Sequence, residues 1–296
     1  PGSSPIISNL CFILCNSISC KVKKNLWHNS FLLIFVLHKT INITITMKIL
    51  AIIPARYASS RFPGKPLAFI NGKPMIQRVF EQASKAFEHV CVATDDQRIY
   101  DAVKQFGGKV VMTSTEHNSG TDRCFEALVN FSKESGLAFD VVVNVQGDEP
   151  YIQPEQLKLL EECFSYPDTD IATLVKRVRD KEEFLNPNAP KVIVDKNCNA
   201  LYFSRAPIPY ARDKEITDEY VKNTKLYRHI GLYGYRSSIL ERICSMEQSF
   251  LEQTEKLEQL RWLENGLRIR VAETALETYA IDTPEDLESV NRMFLD

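Results

Sequence analysis

The sequence predicts a three-layer α/β/α fold in which helices cover both faces of a mostly parallel central sheet. Three observations carry the prediction. Apolar runs of strand length recur along the chain, stretches of helical spacing lie between them, and those stretches are long enough to be crossover connections. Residues 48–53 form the first run, ended by Pro54, as a strand buried on both faces would be. A polar loop follows to Gly72. Pro74 then stands where a first helical residue belongs, with Met75, Ile76, Val79, Phe80, Ala83 and Phe87 at helical spacing. Residues 90–94 make a second strand. Asp95 and Asp96 open a helix with Ile99, Ala102, Val103 and Phe106 on one face and Gly107-Gly108 as its stop. A third strand spans 110–112, and Cys124, Leu128 and Phe131 mark a third helix. Residues 140–145 form a fourth strand, closed by Gln146-Gly147-Asp148-Glu149-Pro150. In parallel sheets ligands bind beyond the carboxyl ends of the strands, where the 54–72 loop and the 146–150 turn both lie.

After Tyr166 the pattern changes, with strands at 171–175, 192–195, 200–204 and 230–235. Such a run predicts antiparallel additions to the sheet and a subunit contact, hence a homodimer. Helices at 236–246 and 254–265, a strand at 267–272 and a last helix from Thr283 complete residues 47–296 as one domain.

Composition narrows the function. The chain has 296 residues, 44% hydrophobic and 25% charged, which excludes a disordered, collagen-like or disulfide-scaffold protein. A net charge of −2 gives no general attraction to nucleic acid or to an anionic membrane, so an anion must be bound by a local site. Residues 1–46 differ from the rest: they hold four lysines, no acid and three of the eight cysteines, without periodicity. Their apolar stretch, 31–37, is too short to span a bilayer and has no cleavage site behind it, against a signal peptide. With Pro1-Gly2-Ser3 in front, the segment reads as a non-native or disordered extension, a tag remnant plus translated upstream sequence, with the natural start at Met47. The five later cysteines are dispersed without a CxxC pair, which favours free thiols in a reducing cytoplasm.

The chemistry concentrates in two places. Residues 54–66 put Arg56, Arg61 and Lys65 on one loop with Ser59 and Ser60, a composition suited to a polyphosphate; an exposed basic loop is the ordinary alternative. A P-loop motif does not fit, because Ser59 takes the place of its first glycine and Pro66 that of its magnesium-binding hydroxyl. Asp148 and Glu149 close a buried strand where a magnesium ligand could meet a triphosphate, although Gly, Asp and Pro also make ordinary turns. Asp282 precedes the last helix and could be its cap. Thr283, Pro284 and Asp286 already supply the cap, first helical residue and acid, which leaves Asp282 free to face the site.

From Met47 onwards the chain resembles the cytidylyltransferases that activate 3-deoxy-D-manno-octulosonate (Kdo), within the sugar nucleotidyltransferases. The resemblance is carried by Ile52-Ile53-Pro54-Ala55-Arg56 with Pro63-Gly64-Lys65-Pro66, Val92-Ala93-Thr94-Asp95, Ser119-Gly120-Thr121-Asp122-Arg123 and Asn144-Val145-Gln146-Gly147-Asp148-Glu149-Pro150. It continues through Tyr202-Phe203-Ser204-Arg205-Ala206, Arg228-His229-Ile230-Gly231-Leu232-Tyr233, Leu257-Glu258-Gln259-Leu260-Arg261 and Ile281-Asp282-Thr283-Pro284-Glu285. It implies a nucleotidyltransferase, Rossmann-like domain with an antiparallel dimerisation extension, and attack of the sugar acid's anomeric hydroxyl on the α-phosphate of CTP, for lipopolysaccharide biosynthesis.

The resemblance also implies roles for residues. Asp148 and Asp282 would bind Mg²⁺, with Lys65 and Arg56 stabilising charge on the phosphates. Ala55, Arg56, Ser59, Lys65, Ser119, Gly120, Thr121, Arg123 and Gln146 would bind the nucleotide, Thr121 also capping its helix. The acceptor carries a carboxylate and hydroxyls; Arg205 and His229 could meet the acid end, and Tyr233, Glu258 and Gln259 the hydroxyls. The rival readings are another acidic acceptor, 8-amino-Kdo or a sialic acid, and a non-catalytic nucleotide-binding protein on the same fold.

A chain beginning at Met47 is expected to keep the melting temperature and activity of the full chain, since residues 1–46 show no core to join. A large loss of either would show that the extension packs on the rest.

Overall fold

The computed structural model describes residues 47–59, 61–117, 119–277 and 279–293; the expectations for residues 1–46 and for Ser60 lie outside the described residues. The first strand, β1 (Ile49–Ala55), separates two cores because its side chains alternate. Ala51, Ile53 and Ala55 enter one core, Leu50 and Ile52 the other. The chain continues through β2 (Phe69–Ile70), β3 (Lys73–Pro74), α1 (Met75–Ala86), β4 (His89–Thr94), α2 (Gln97–Gln105), β5 (Val110–Met112), α3 (Gly120–Ser135), β6 (Val141–Asn144) and α4 (Pro154–Cys163). Its second half adds β7 (Ile171–Arg177), α5 (Lys181–Leu185), β8 (Lys191–Val194), β9 (Ala200–Ser204), α6 (Asp218–Asn223) and β10 (Tyr227–Arg236). It closes with α7 (Ser237–Cys244), α8 (Phe250–Glu255), α9 (Gln259–Glu264), β11 (Ile269–Glu273) and α10 (Pro284–Met293).

The main sheet runs β11-β7-β10-β6-β1-β4-β5. Neighbours β6-β1-β4-β5 are parallel, as the crossovers demand. Helices α1, α2 and α4 cover one face through Ile76, Val79, Ile99, Val103, Leu157 and Leu160. The other face is covered by α3, α7 and α9, through Cys124, Ala127, Leu240, Ile243, Leu260 and Trp262. The expected three-layer α/β/α architecture is therefore present.

The second half departs from the expectation in detail. Only β10 runs against the main sheet, inserted between β6 and β7, and β11 returns parallel to β7. The antiparallel additions proper are β8, beside β10, and β9, beside β8. A single helix at 254–265 is replaced by α8 and α9, because Lys256 adopts a left-handed conformation (φ 54°) that closes α8. Helix α4 went unread in the sequence although Pro154 opens it and Gln153 and Gln156 form a capping box.

One small core fixes the chain at the carboxyl edge of the sheet. Ile70, Met75, Ile281 and Val290 pack together with Phe62, Tyr151 and Leu287 against them. This cluster ties the β2–β3 hairpin and the start of α1 to α10, so the residue after Ile281 is delivered to the loop that leaves β1.

Candidate active site

The loop leaving β1 is shaped by Tyr57. The Arg98 guanidinium lies 3.3 Å from the ring's centroid and is itself gripped by Asp96 at 2.6 Å. On the loop's return, Gly64 takes a φ of 71° and its amide donates to the Tyr57 carbonyl at 2.9 Å. A Cβ at Gly64 would come within 3.0 Å of the Tyr57 ring, so sterics and backbone conformation both require glycine. The fold-back turns Lys65 towards the end of β6. There Gly147 lets the turn approach β1 closely, since a Cβ would lie 2.7 Å from the Pro54 carbonyl oxygen.

Four charged side chains meet at this point. Lys65 Nζ lies 2.7 Å from Asp148 Oδ2 and 3.3 Å from Asp282 Oδ1, and Arg61 Nη1 lies 3.1 Å from Asp282 Oδ2. The two aspartates are held in register by the backbone, because the Ile281 amide donates to the Asp148 carbonyl at 2.9 Å. The Asp282 side chain caps nothing: Asp286 Oδ2 accepts from the amides of Asp282 and Thr283, and Thr283 Oγ1 accepts from the Asp286 amide. Beside them Glu149 is buried, and burial together with the Asp148 charge pushes its carboxyl up to about 7.

A cleft joins this cluster to the start of α3. Ala55, Arg56, Ser59, Lys65, Ser119, Gly120, Arg123, Gln146, Asp148 and Asp282 all line it, along with Arg61 and His117. Arg56 is exposed and makes no ion pair with a described residue. Arg123 is buried and committed, donating to Thr113 Oγ1 at 2.6 Å and pairing with Asp95 at 2.7 Å. Thr121 departs from its expected role. The cap of α3 is Ser119, whose extended backbone lets its Oγ accept from the Asp122 amide at 3.1 Å, and Thr121 Oγ1 instead donates to Glu258 Oε2 at 3.1 Å.

The residues expected to meet the sugar acid form a second, more buried group. Tyr233 touches the rings of His229 and Trp262, with centroids 5.2 and 5.1 Å away. Burial raises the Glu258 carboxyl above its ordinary value despite Arg261 at 3.0 Å. Gln259 is buried with its Nε2 unpartnered among the described residues. Two members do not offer the cation expected of them. His229 is buried against Thr173 Oγ1, and burial with the nearby Arg228 charge brings its ring down to about 3, so it is neutral. Arg205 spends its guanidinium on the carbonyls of Glu255, Pro187 and Lys256, and it does not line the cleft.

Sequence reasoning passed over His117. Its position on the loop leaving β5 at the carboxyl edge of the sheet was the available signal.

A family model described as Cytidylyltransferase matches residues 50–269. The chain belongs to the cytidylyltransferase family. It is 57% identical over 246 residues to a 3-deoxy-manno-octulosonate cytidylyltransferase of Parabacteroides distasonis, covering 82% of this chain and 96% of that protein. A protein of the same description in Bacteroides thetaiotaomicron is 56% identical over 245 residues, with the same coverage. Among solved structures, a CMP:2-keto-3-deoxy-manno-octonic acid synthetase complexed with CTP superposes with a TM-score of 0.75 at 41% identity, over 84% of this chain and 98% of that one.

The neutral His229 makes stability depend on pH. Its folded pKa of about 3 lies below the ordinary 6.5, so the unfolded chain binds the extra proton and stability falls as pH drops from 6.5 towards 3. In chemical denaturation the advantage of wild type over His229→Gln should shrink by about 2 kcal/mol between pH 7 and pH 5. A gap that stays constant would mean that the ring charges freely in the fold.

Proposed function

We infer that this cytidylyltransferase transfers CMP from CTP to Kdo, giving CMP-Kdo and pyrophosphate. The single observation that carries the reading is the 57% identity to a Kdo cytidylyltransferase along nearly all of that protein's length. The cleft adds its chemistry: a cation-bearing loop faces two carboxylates beyond the ends of β1 and β6. The sugar acid's anomeric hydroxyl loses its proton to solvent and its oxygen bonds to the α-phosphorus as the bond from that phosphorus to the bridging oxygen breaks, and pyrophosphate leaves. Lys65 and Arg56 would hold phosphate oxygens and offset the charge that moves onto them.

Asp148 and Asp282 are the residues that would hold Mg²⁺. They fit it, since both present carboxylate oxygens to one point, where the Lys65 ammonium already stands between them. No group of three or more His, Cys, Asp or Glu side chains placed to hold a metal ion occurs among the described residues, so phosphate oxygens and water would complete the shell. When bound, such an ion supplies positive charge against the triphosphate and polarises the α-phosphorus.

Two further readings concern the protein in its cell. The free thiols Cys91, Cys124, Cys163, Cys198 and Cys244 suit a reducing cytoplasm, and no described helix is long and apolar enough to cross a membrane. A homodimer through the β8–β9 region is favoured by apolar exposure there, with Leu201 at 59% and Tyr210 at 88%.

Pyrophosphate release measured with each of the four NTPs against Kdo, 8-amino-Kdo and a sialic acid tests the function. CTP with Kdo is expected to be fastest, and turnover of a sialic acid alone would overturn the acceptor. Asp148→Asn and Asp282→Asn are each expected to lower kcat by about 100-fold or more with the fold retained. Near-normal turnover of Asp282→Asn at saturating Mg²⁺ would leave Asp148 as the sole metal-binding carboxylate. Light scattering should return twice the chain's mass at micromolar concentration, and a monomer mass would count against the dimer.

A further inference from the structure

The loop after β5 carries a histidine that the transfer reaction leaves without a role. His117 lines the cleft beside Ser119 and Gly120. In the sheet β5 lies beyond β4 on one side of β1, whereas Asp148 follows β6 on the other. A triphosphate held at Lys65 and Asp148 would leave the His117 end of the same cleft open to its nucleoside. The ring is also oriented, because His117 Nε2 is bonded to Glu126 Oε2 on α3, and the same carboxylate accepts from the Ser114 amide at 2.9 Å. Burial works against the charge on Glu126, but the bonds from Ser114 and His117 outweigh it and hold the carboxyl below its ordinary value. An ionised carboxylate only accepts, so Nε2 carries a proton, and the Nε2–H tautomer of the ring leaves Nδ1 as an acceptor.

We propose that His117 is a nucleoside-positioning residue: its Nδ1 accepts a hydrogen bond from the cytosine N4 amino group or the ribose 2′-hydroxyl, with Glu126 fixing the ring's tautomer and orientation. The assignment rests on the reading of the cleft as a CTP site. The competing account is that the pair only braces residues 113–117. His117→Ala separates the two, because the Glu126 bond to Ser114 survives it.

The full chain would be titrated calorimetrically with CTP, UTP and 2′-deoxy-CTP in Mg²⁺, without sugar acid. His117→Ala is expected to weaken CTP binding by about tenfold, with the melting temperature unchanged. It should also erase one preference: that for CTP over UTP if the partner is N4, or over 2′-deoxy-CTP if it is the hydroxyl. Glu126→Gln, which keeps an acceptor for Ser114, should weaken CTP in the same direction by a smaller factor. The proposal is overturned if His117→Ala binds CTP within about twofold of wild type, or if both preferences survive. It is also overturned if all three nucleotides weaken equally as the melting temperature falls, which is the brace. Wild-type protein that bound no CTP would overturn the nucleotide reading of the cleft, and this assignment with it.

Discussion

The contact on which the rest depends is the ammonium group of Lys65 set between Asp148 and Asp282, partners 83 and 217 residues away in sequence. Two carboxylates brought together at the edge of a low-dielectric sheet repel, and the repulsion is offset here by Lys65 and by Arg61 on Asp282. The group is partly open to solvent, so the pairs add little to stability. Their importance is geometric. Acid oxygens from two distant segments face the same cationic loop, as a divalent ion and a triphosphate together require.

Three unrelated pieces of backbone make that meeting accurate. The loop from β1 folds back over Tyr57, which Arg98 and Gly64 clamp from two sides. The turn after β6 comes against Pro54 because Gly147 has no side chain to keep it away. The approach to α10 is fixed by Ile281, whose side chain joins the small core with Ile70, Met75 and Val290 while its amide binds the Asp148 carbonyl. Asp282 thus inherits its position from burial of its neighbour, and Asp286 and Thr283 relieve it of capping the helix.

Much of this was legible in the sequence where the signal is local. The strands at 110–112 and 200–204 lie where the apolar runs put them, and the surplus of capping residues around Asp282 could be counted directly. What was not legible depends on long-range pairing or on burial. Insertion of β10 between β6 and β7 is a choice of partner that no local pattern encodes. The left-handed Lys256 that divides α8 from α9 has no glycine to announce it. Arg205 read as a free cation because nothing in the sequence shows that three backbone carbonyls would claim it, and His229 lost its charge to a tertiary environment. His117 was missed for a different reason, since a single histidine on a loop carries no spacing to recognise.

The most direct measurement is a crystal structure with CTP and Mn²⁺, the ion located by its anomalous scattering. The account predicts one ion roughly 2.2 Å from oxygens of both Asp148 and Asp282, with Lys65 withdrawn onto the phosphates. An ion held by the phosphates alone, with Lys65 still between the two aspartates, would contradict it.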